Sequence, residues 1–146
     1  AIRERVWDAY SKPELLTQWW GSNGWTTEIK HLEFAVGGYW HYCMRCEDKA
    51  QGDFYGMESW GKATYTEITP IESFSYVDVF SDEHGGTNTD FPASSTTVKL
   101  VDEGDQTLLV STTRYDSPEA LNQVLEMGMQ EGFTQTLDRL ETLLSN

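Results

Sequence analysis

The sequence predicts an α+β fold in which a curved antiparallel sheet of six to seven strands wraps around a long C-terminal helix, with two short helices near the N-terminus. Three observations predict it. Apolar residues recur at helical spacing at both ends of the chain and alternate in strand fashion between them. The connections between alternating segments are of hairpin length, too short for parallel crossovers. Glycines fall inside the longest alternating run, as a sheet that bends requires.

Ile2, Val6, Trp7 and Tyr10 set one face of a short amphipathic helix, with Arg3 and Glu4 turned away. Ser11 is placed to cap a second helix, with Pro13 in its first turn and Leu15, Leu16, Trp19 and Trp20 following; Gly21 ends it. Trp25 to Phe34 is rich in β-branched and aromatic residues and reads as a strand. Gly37-Gly38 turns the chain into a second strand, Tyr39 to Cys46, and Glu47 to Asp53 is a polar loop.

Phe54 to Ile68 is long for one strand, and Gly56 and Gly61 mark bends or bulges within it. Pro70 closes it, Glu72 to Phe80 forms the next strand, and Ser81 to Pro92 is a polar loop. A hairpin follows, with Thr96 to Val101 and Thr107 to Tyr115 joined by the acidic turn Asp102 to Asp105. Ser117 caps a final helix with Pro118 at its first position. That helix is expected to run unbroken to Leu144 on a stripe of Leu121, Val124, Leu125, Met129, Phe133, Leu137, Leu140 and Leu144. No repeat or composition break divides the 146 residues, so a single domain is expected over 1–146.

Composition narrows the function classes. The formal net charge is −14, from 24 acidic against 10 basic residues, which disfavours nucleic acid and anionic lipid surfaces and leaves neutral or weakly cationic ligands. No apolar run reaches the length of a membrane span, and the N-terminus has no secretory pattern; a cytoplasmic protein with no membrane insertion is expected. Cys43-x-x-Cys46 lies in a strand, where alternation sends the two thiols to opposite faces, so free thiols are expected rather than a redox pair. His41 and Cys43 share a face, but two further zinc ligands are lacking. No cofactor or metal is implied.

Gly128 and Gly132 stand four apart in the final helix, each costing about 1 kcal/mol relative to Ala in a helix interior. Close packing against the sheet explains them equally well as space left for a ligand. Trp40, Tyr42 and Met44 on one strand, and Phe74, Tyr76 and Phe80 on another, would either fill a core or wall such a space. The candidate binding residues are these six with Trp60, Val98, Gly128, Met129, Gly132 and Phe133. His31, His41 and His84 are scattered and form no catalytic constellation. Arg45, Glu58, Asp78 and Arg114 are strand residues that could serve as polar anchors in a pocket, but each is expected rather on the outer sheet face, exposed or paired.

Arg3-Glu4-Arg5-Val6-Trp7-Asp8-Ala9-Tyr10, Pro13-Glu14-Leu15-Leu16 and Gln18-Trp19-Trp20-Gly21 resemble the START-related SRPBCC superfamily, in the branch named after the heat-shock protein 90 ATPase activator. Gly37-Gly38-Tyr39-Trp40, Trp60-Gly61-Lys62-Ala63, and Met127 to Phe133 with Leu137-Asp138-Arg139-Leu140 continue the likeness. It implies a helix-grip (START/Bet v 1-like) fold with a pocket for apolar small molecules between sheet and C-terminal helix. It also implies an edge strand before the first helix, which these residues do not include. The co-chaperone activity in the branch's name goes with an additional N-terminal domain and is not expected here. The expected function is binding of a small apolar or aromatic molecule, in stress response or secondary metabolism, by a monomer or homodimer. A cyclase- or hydrolase-type enzyme using the same pocket is the alternative, and a protein-interaction module built on Trp19-Trp20 is the third reading.

Overall fold

The computed structural model describes residues 1–145. Two short helices, α1 (Arg3–Ser11) and α2 (Pro13–Trp19), precede six strands: β1 (Trp25–Leu32), β2 (Tyr39–Cys46), β3 (Glu58–Thr69), β4 (Ser73–Phe80), β5 (Ser94–Glu103) and β6 (Gln106–Tyr115). Helices α3 (Pro118–Glu126) and α4 (Met129–Leu144) end the chain. The strands form one antiparallel meander in chain order, β1 to β6. Register slips at Ile29/His31 and Tyr65/Glu67 are bulges that add local twist and bend to the sheet. Gly56 lies in the turn before β3, and 3-10 turns over Lys49–Phe54 occupy the expected loop.

Alternation assigns the two faces. On β2, Trp40 and Tyr42 point to the concave side, whereas His41 points outward, its Nε2–H donating to the Asp82 carbonyl at 2.8 Å. Cys43 and Cys46 are both buried, free and on opposite faces, and burial pushes the Cys43 thiol up, away from the reactive thiolate. Arg45 pairs with Glu58 across the convex face, and Arg114 is exposed there.

Helices α1 and α2 fill one end of the concave face. Val6, Ala9, Tyr10, Leu16 and Trp19 are buried there, and Phe74 meets Trp7, Tyr10, Phe34 and Tyr65 in edge-on ring contacts between 5.1 and 6.4 Å. Trp19 is fully buried with its indole N–H donating to Ala9 O at 2.9 Å, so it offers no docking surface. Arg139 on α4 reaches back to the turn after α2, donating through Nη1 to Gly21 O at 2.8 Å and Trp25 O at 3.2 Å and through Nη2 to Gln18 O at 3.3 Å. One planar guanidinium thus satisfies carbonyls left open by the helix end and fixes α4 against the first half of the chain.

Two local expectations are corrected. Ser11 does not cap α2: it closes α1, donating to Trp7 O at 2.9 Å, and Lys12 takes the cap position without a side-chain bond. The final helix is not continuous. Ser117 caps α3 as expected, accepting from Ala120 N at 3.1 Å, but Gly128 adopts φ 83° and separates α3 from α4. A left-handed residue stops the hydrogen-bond ladder, and α4 leaves in a new direction. Leu121 and Leu125, drawn on one stripe with α4, are consequently exposed, and Val124 alone is buried from α3.

Candidate ligand cavity

The other end of the concave face is not filled. Beneath α3 and α4, strands β2 to β6 border a cavity of about 270 Å³, enough for a small organic molecule. Its floor carries Tyr42 and Met44 from β2 and Tyr76, Asp78 and Phe80 from β4; its roof carries Val124, Met129, Gly132 and Phe133. Trp20 forms one side wall, meeting Trp40 and Tyr42 edge-on at 4.8 and 6.0 Å. A second hollow of about 310 Å³, between α1, β6 and α4, is lined mainly by aliphatic side chains such as Val6, Leu109, Leu137 and Leu140.

Of the residues selected from the sequence, Tyr42, Met44, Tyr76, Phe80, Met129, Gly132 and Phe133 come together around the first cavity. Trp60 borders it with its main chain, because its ring lies on the convex face beside His41 at 5.3 Å and under Lys30 Nζ at 5.9 Å. Trp40, Phe74 and Val98 are buried and do not line it: they stand at the end occupied by α1 and α2. Gly128 does not line it either, and its role is the break between the helices, with nothing within 4 Å of an added Cβ. Gly132 is inside α4, and a Cβ there would meet only Ser22 Cβ at 3.8 Å, so bulk could be accommodated in the cavity.

Gly61 has a different function from the bend expected of it. It pairs with Tyr42 on β2 and Phe80 on β4, and the Tyr42 ring and hydroxyl occupy the place of its missing side chain. This close approach carries the Tyr42 hydroxyl across to β4, where it hydrogen-bonds the Asp78 carboxylate, while the Tyr42 hydroxyl itself takes a bond from Trp20.

Asp78 takes the less expected of its two placements, bordering the cavity as a polar anchor. Its parity matches Tyr76 and Phe80, so the strand period carries the signal, although a charged strand residue is ordinarily exposed. The residue is half-buried as a whole, whereas its Oδ1 is sealed from solvent and has no hydrogen-bond partner. Burial raises the Asp78 carboxyl to about 7, and the bonds from Tyr42 and the Val79 backbone pull it only partly back. Trp40 Nε1 is the other unpartnered buried side-chain atom among the described residues.

Several of the remaining polar wall groups are engaged. Thr96 and Thr113 share a hydroxyl bond of 2.9 Å, Tyr76 bonds Thr96, Tyr115 bonds Ser94, and Thr136 donates to Gly132 O at 2.9 Å. Desolvation holds Tyr42 and Tyr76 protonated, far above the ordinary phenol value. The wall is therefore rich in aromatic rings, with several hydroxyls already engaged and a single carboxyl that retains bonding capacity.

Comparison with known proteins places this architecture. A crystal structure of a Mycobacterium smegmatis protein superposes with a TM-score of 0.86 at 30% identity, covering 99% of this chain and 84% of that one. A solution structure of an Arthrobacter aurescens protein gives 0.89 at 30% identity, covering 99% and 80%. A Silicibacter pomeroyi protein named AHSA1 shares the fold, with a TM-score of 0.74 at 18% identity over 99% of this chain and 91% of that one. No curated protein matches the sequence significantly. The family model for Activator of Hsp90 ATPase homolog 1-like protein matches residues 1–145, and the chain accordingly belongs to that family.

Proposed function

We propose that this protein binds a small apolar or aromatic molecule in the cavity between the sheet and α3/α4. The observation that carries this reading is a hollow of about 270 Å³ left among Tyr42, Met44, Tyr76, Phe80 and Phe133, beside the closed aromatic cluster of Trp19, Trp40, Tyr65 and Phe74 and lined by aromatic rings and polar groups where the second hollow is mainly aliphatic. Interiors ordinarily close to crystal-like density, so an aromatic-walled space with a few oriented polar groups fits a ligand better than a packing defect. No described helix is long and apolar enough to cross a membrane, and the charge of −14 disfavours nucleic acid. The proposal accordingly has a cytoplasmic monomer or homodimer acting on a free small molecule, with stress response as its cellular setting.

Native mass spectrometry of protein purified from its own host tests this directly, with co-purifying small molecules as the expected finding. Gly132→Leu is the matching control, since it projects bulk into the cavity while meeting only Ser22. Loss of the adduct with the fold retained supports the reading, and equal ligand occupancy in both proteins overturns it.

Asp78 favours one second reading. A carboxyl raised to about 7 is matched to proton transfer at neutral pH, so an acid–base enzyme of cyclase or hydrolase type would use it. Turnover of a bound ligand that disappears in Asp78→Asn while binding persists would select this reading over simple binding.

A further inference from the structure

Building on the binding reading above, we propose that Asp78 determines the ligand class, and that the cavity is selective for an apolar or aromatic base, an amine or basic nitrogen heterocycle whose N–H bonds the Asp78 carboxylate.

Three independent observations converge on it. First, Asp78 Oδ1 lacks a donor, whereas the hydroxyls of Tyr76, Tyr115, Thr96, Thr113 and Thr136 are already engaged. A ligand N–H at this carboxyl meets the cavity's single carboxyl among the described residues, a group that burial has left short of hydrogen bonds. Second, no Lys, Arg or His side chain lines the cavity among the described residues. The bases of the neighbouring strands are turned outward: Lys62 lies over the Tyr39 ring and bonds Gly85 O, Arg45 is held by Glu58, and His41 by Asp82 O. The carboxylate thus has no internal counter-ion, and a ligand cation would be its first. Third, the chain's charge of −14 favours cations approaching any opening and opposes anions.

Position adds discrimination. Tyr42 fixes the carboxyl from one side, held in turn by Trp20 and by the space over Gly61, so Asp78 is preorganised rather than free to swing. Its near-neutral carboxyl suits the same role: it is about half protonated at neutral pH in the empty cavity and ionises fully when a protonated nitrogen arrives, releasing the remaining proton to solvent. A neutral hydrocarbon of the same shape fills the aromatic walls but makes no bond to the carboxyl. A carboxylic acid of that shape adds like-charge repulsion.

The test uses two isosteric probes, 1-naphthylmethylamine and 1-ethylnaphthalene, titrated into isotopically labelled protein at neutral pH and followed through the amide resonances of cavity residues such as Asp78 and Gly132. The amine is expected to bind about tenfold tighter than the hydrocarbon. In Asp78→Asn the amine weakens to the level of the hydrocarbon, whose own affinity is unchanged. Equal affinities of the two probes for the parent protein, or an amine preference that survives Asp78→Asn, overturn the assignment while leaving the cavity a binding site. Failure of both probes to shift any cavity resonance overturns the binding reading itself, and this inference with it. The comparison of two probes on the unaltered protein stands even if the variant folds poorly.

Discussion

Tyr42 and Gly61 face each other across β2 and β3, and the Tyr42 ring lies where a side chain on residue 61 would stand. The absence of one Cβ lets a buried tyrosine reach the next strand but one and hydrogen-bond Asp78. A glycine that looks like a sheet-bending device in sequence is thereby coupled to the chemistry of the cavity.

Gly61→Ala forces that ring to move. Overpacking at such a contact costs about 1–3 kcal/mol, and the displaced hydroxyl also leaves Asp78 without the bond that lowers its carboxyl. Urea unfolding should show the loss, and carboxyl-detected NMR should show Asp78 moving further up. An unchanged midpoint would mean that Tyr42 has a second rotamer available.

Asp78 makes stability depend on pH in a sense opposite to most carboxylates. Its folded value of about 7 exceeds the unfolded value of about 3.9, so between them the folded state holds a proton that the unfolded state has released. Stability through this group is greatest below about pH 4, falls as pH rises to about 7 and is level above, by up to about 4 kcal/mol before screening by water in the cavity. The neighbouring Tyr42, Tyr65, Tyr76 and Tyr115 are raised above the ordinary phenol value and do not titrate in that window. Asp78→Asn should therefore match the parent near pH 4 and exceed it at about pH 8. A constant difference between the two proteins across the range would show that the carboxyl ionises normally.

Opposite effects are expected at the two glycines of the C-terminal segment. Gly128 holds φ 83° in open space, so Gly128→Ala costs about 1 kcal/mol through backbone strain alone. Gly132 is helical with room for a methyl group, so Gly132→Ala adds about 1 kcal/mol of stability through helix propensity. Paired thermal melts decide it, and the same sign at both positions would contradict the helix break.

Arg139→Ala removes the donors to Gly21, Trp25 and Gln18 carbonyls and is expected to cost about 2 kcal/mol. Arg139→Lys should recover little, because a point charge cannot span carbonyls that the guanidinium fork reaches together. Hydrogen exchange should localise the loss to the turn after α2; protection there equal to the parent's would assign Arg139 to the surface.

Strand faces were legible because a period of two is a local property. Tyr42 with Met44 and Tyr76 with Phe80 could be paired from the sequence, and the same rule applied to Asp78 gives its true side. Applied to β3, it also separates Trp60 from Gly61, Ala63 and Tyr65, the last three being buried and Trp60 packed outside. Trp60 and Asp78 are two positions at which residue type and strand parity point to different faces.

Sequence by itself determined the order of elements, the antiparallel meander, the Ser117-Pro118 helix start and the side of each strand that faces the helices, since each depends on neighbours within a few residues. Only the tertiary structure decided which concave-face aromatics pack against one another and which border the cavity. Phe74 and Tyr76 are two residues apart and equally aromatic, yet Phe74 meets Trp7 and Tyr10 from α1 while Tyr76 borders the cavity under α3 and α4. That difference is set by helices packed from distant parts of the chain, and by the left-handed turn at Gly128 that directs one of them, so no local pattern could encode it.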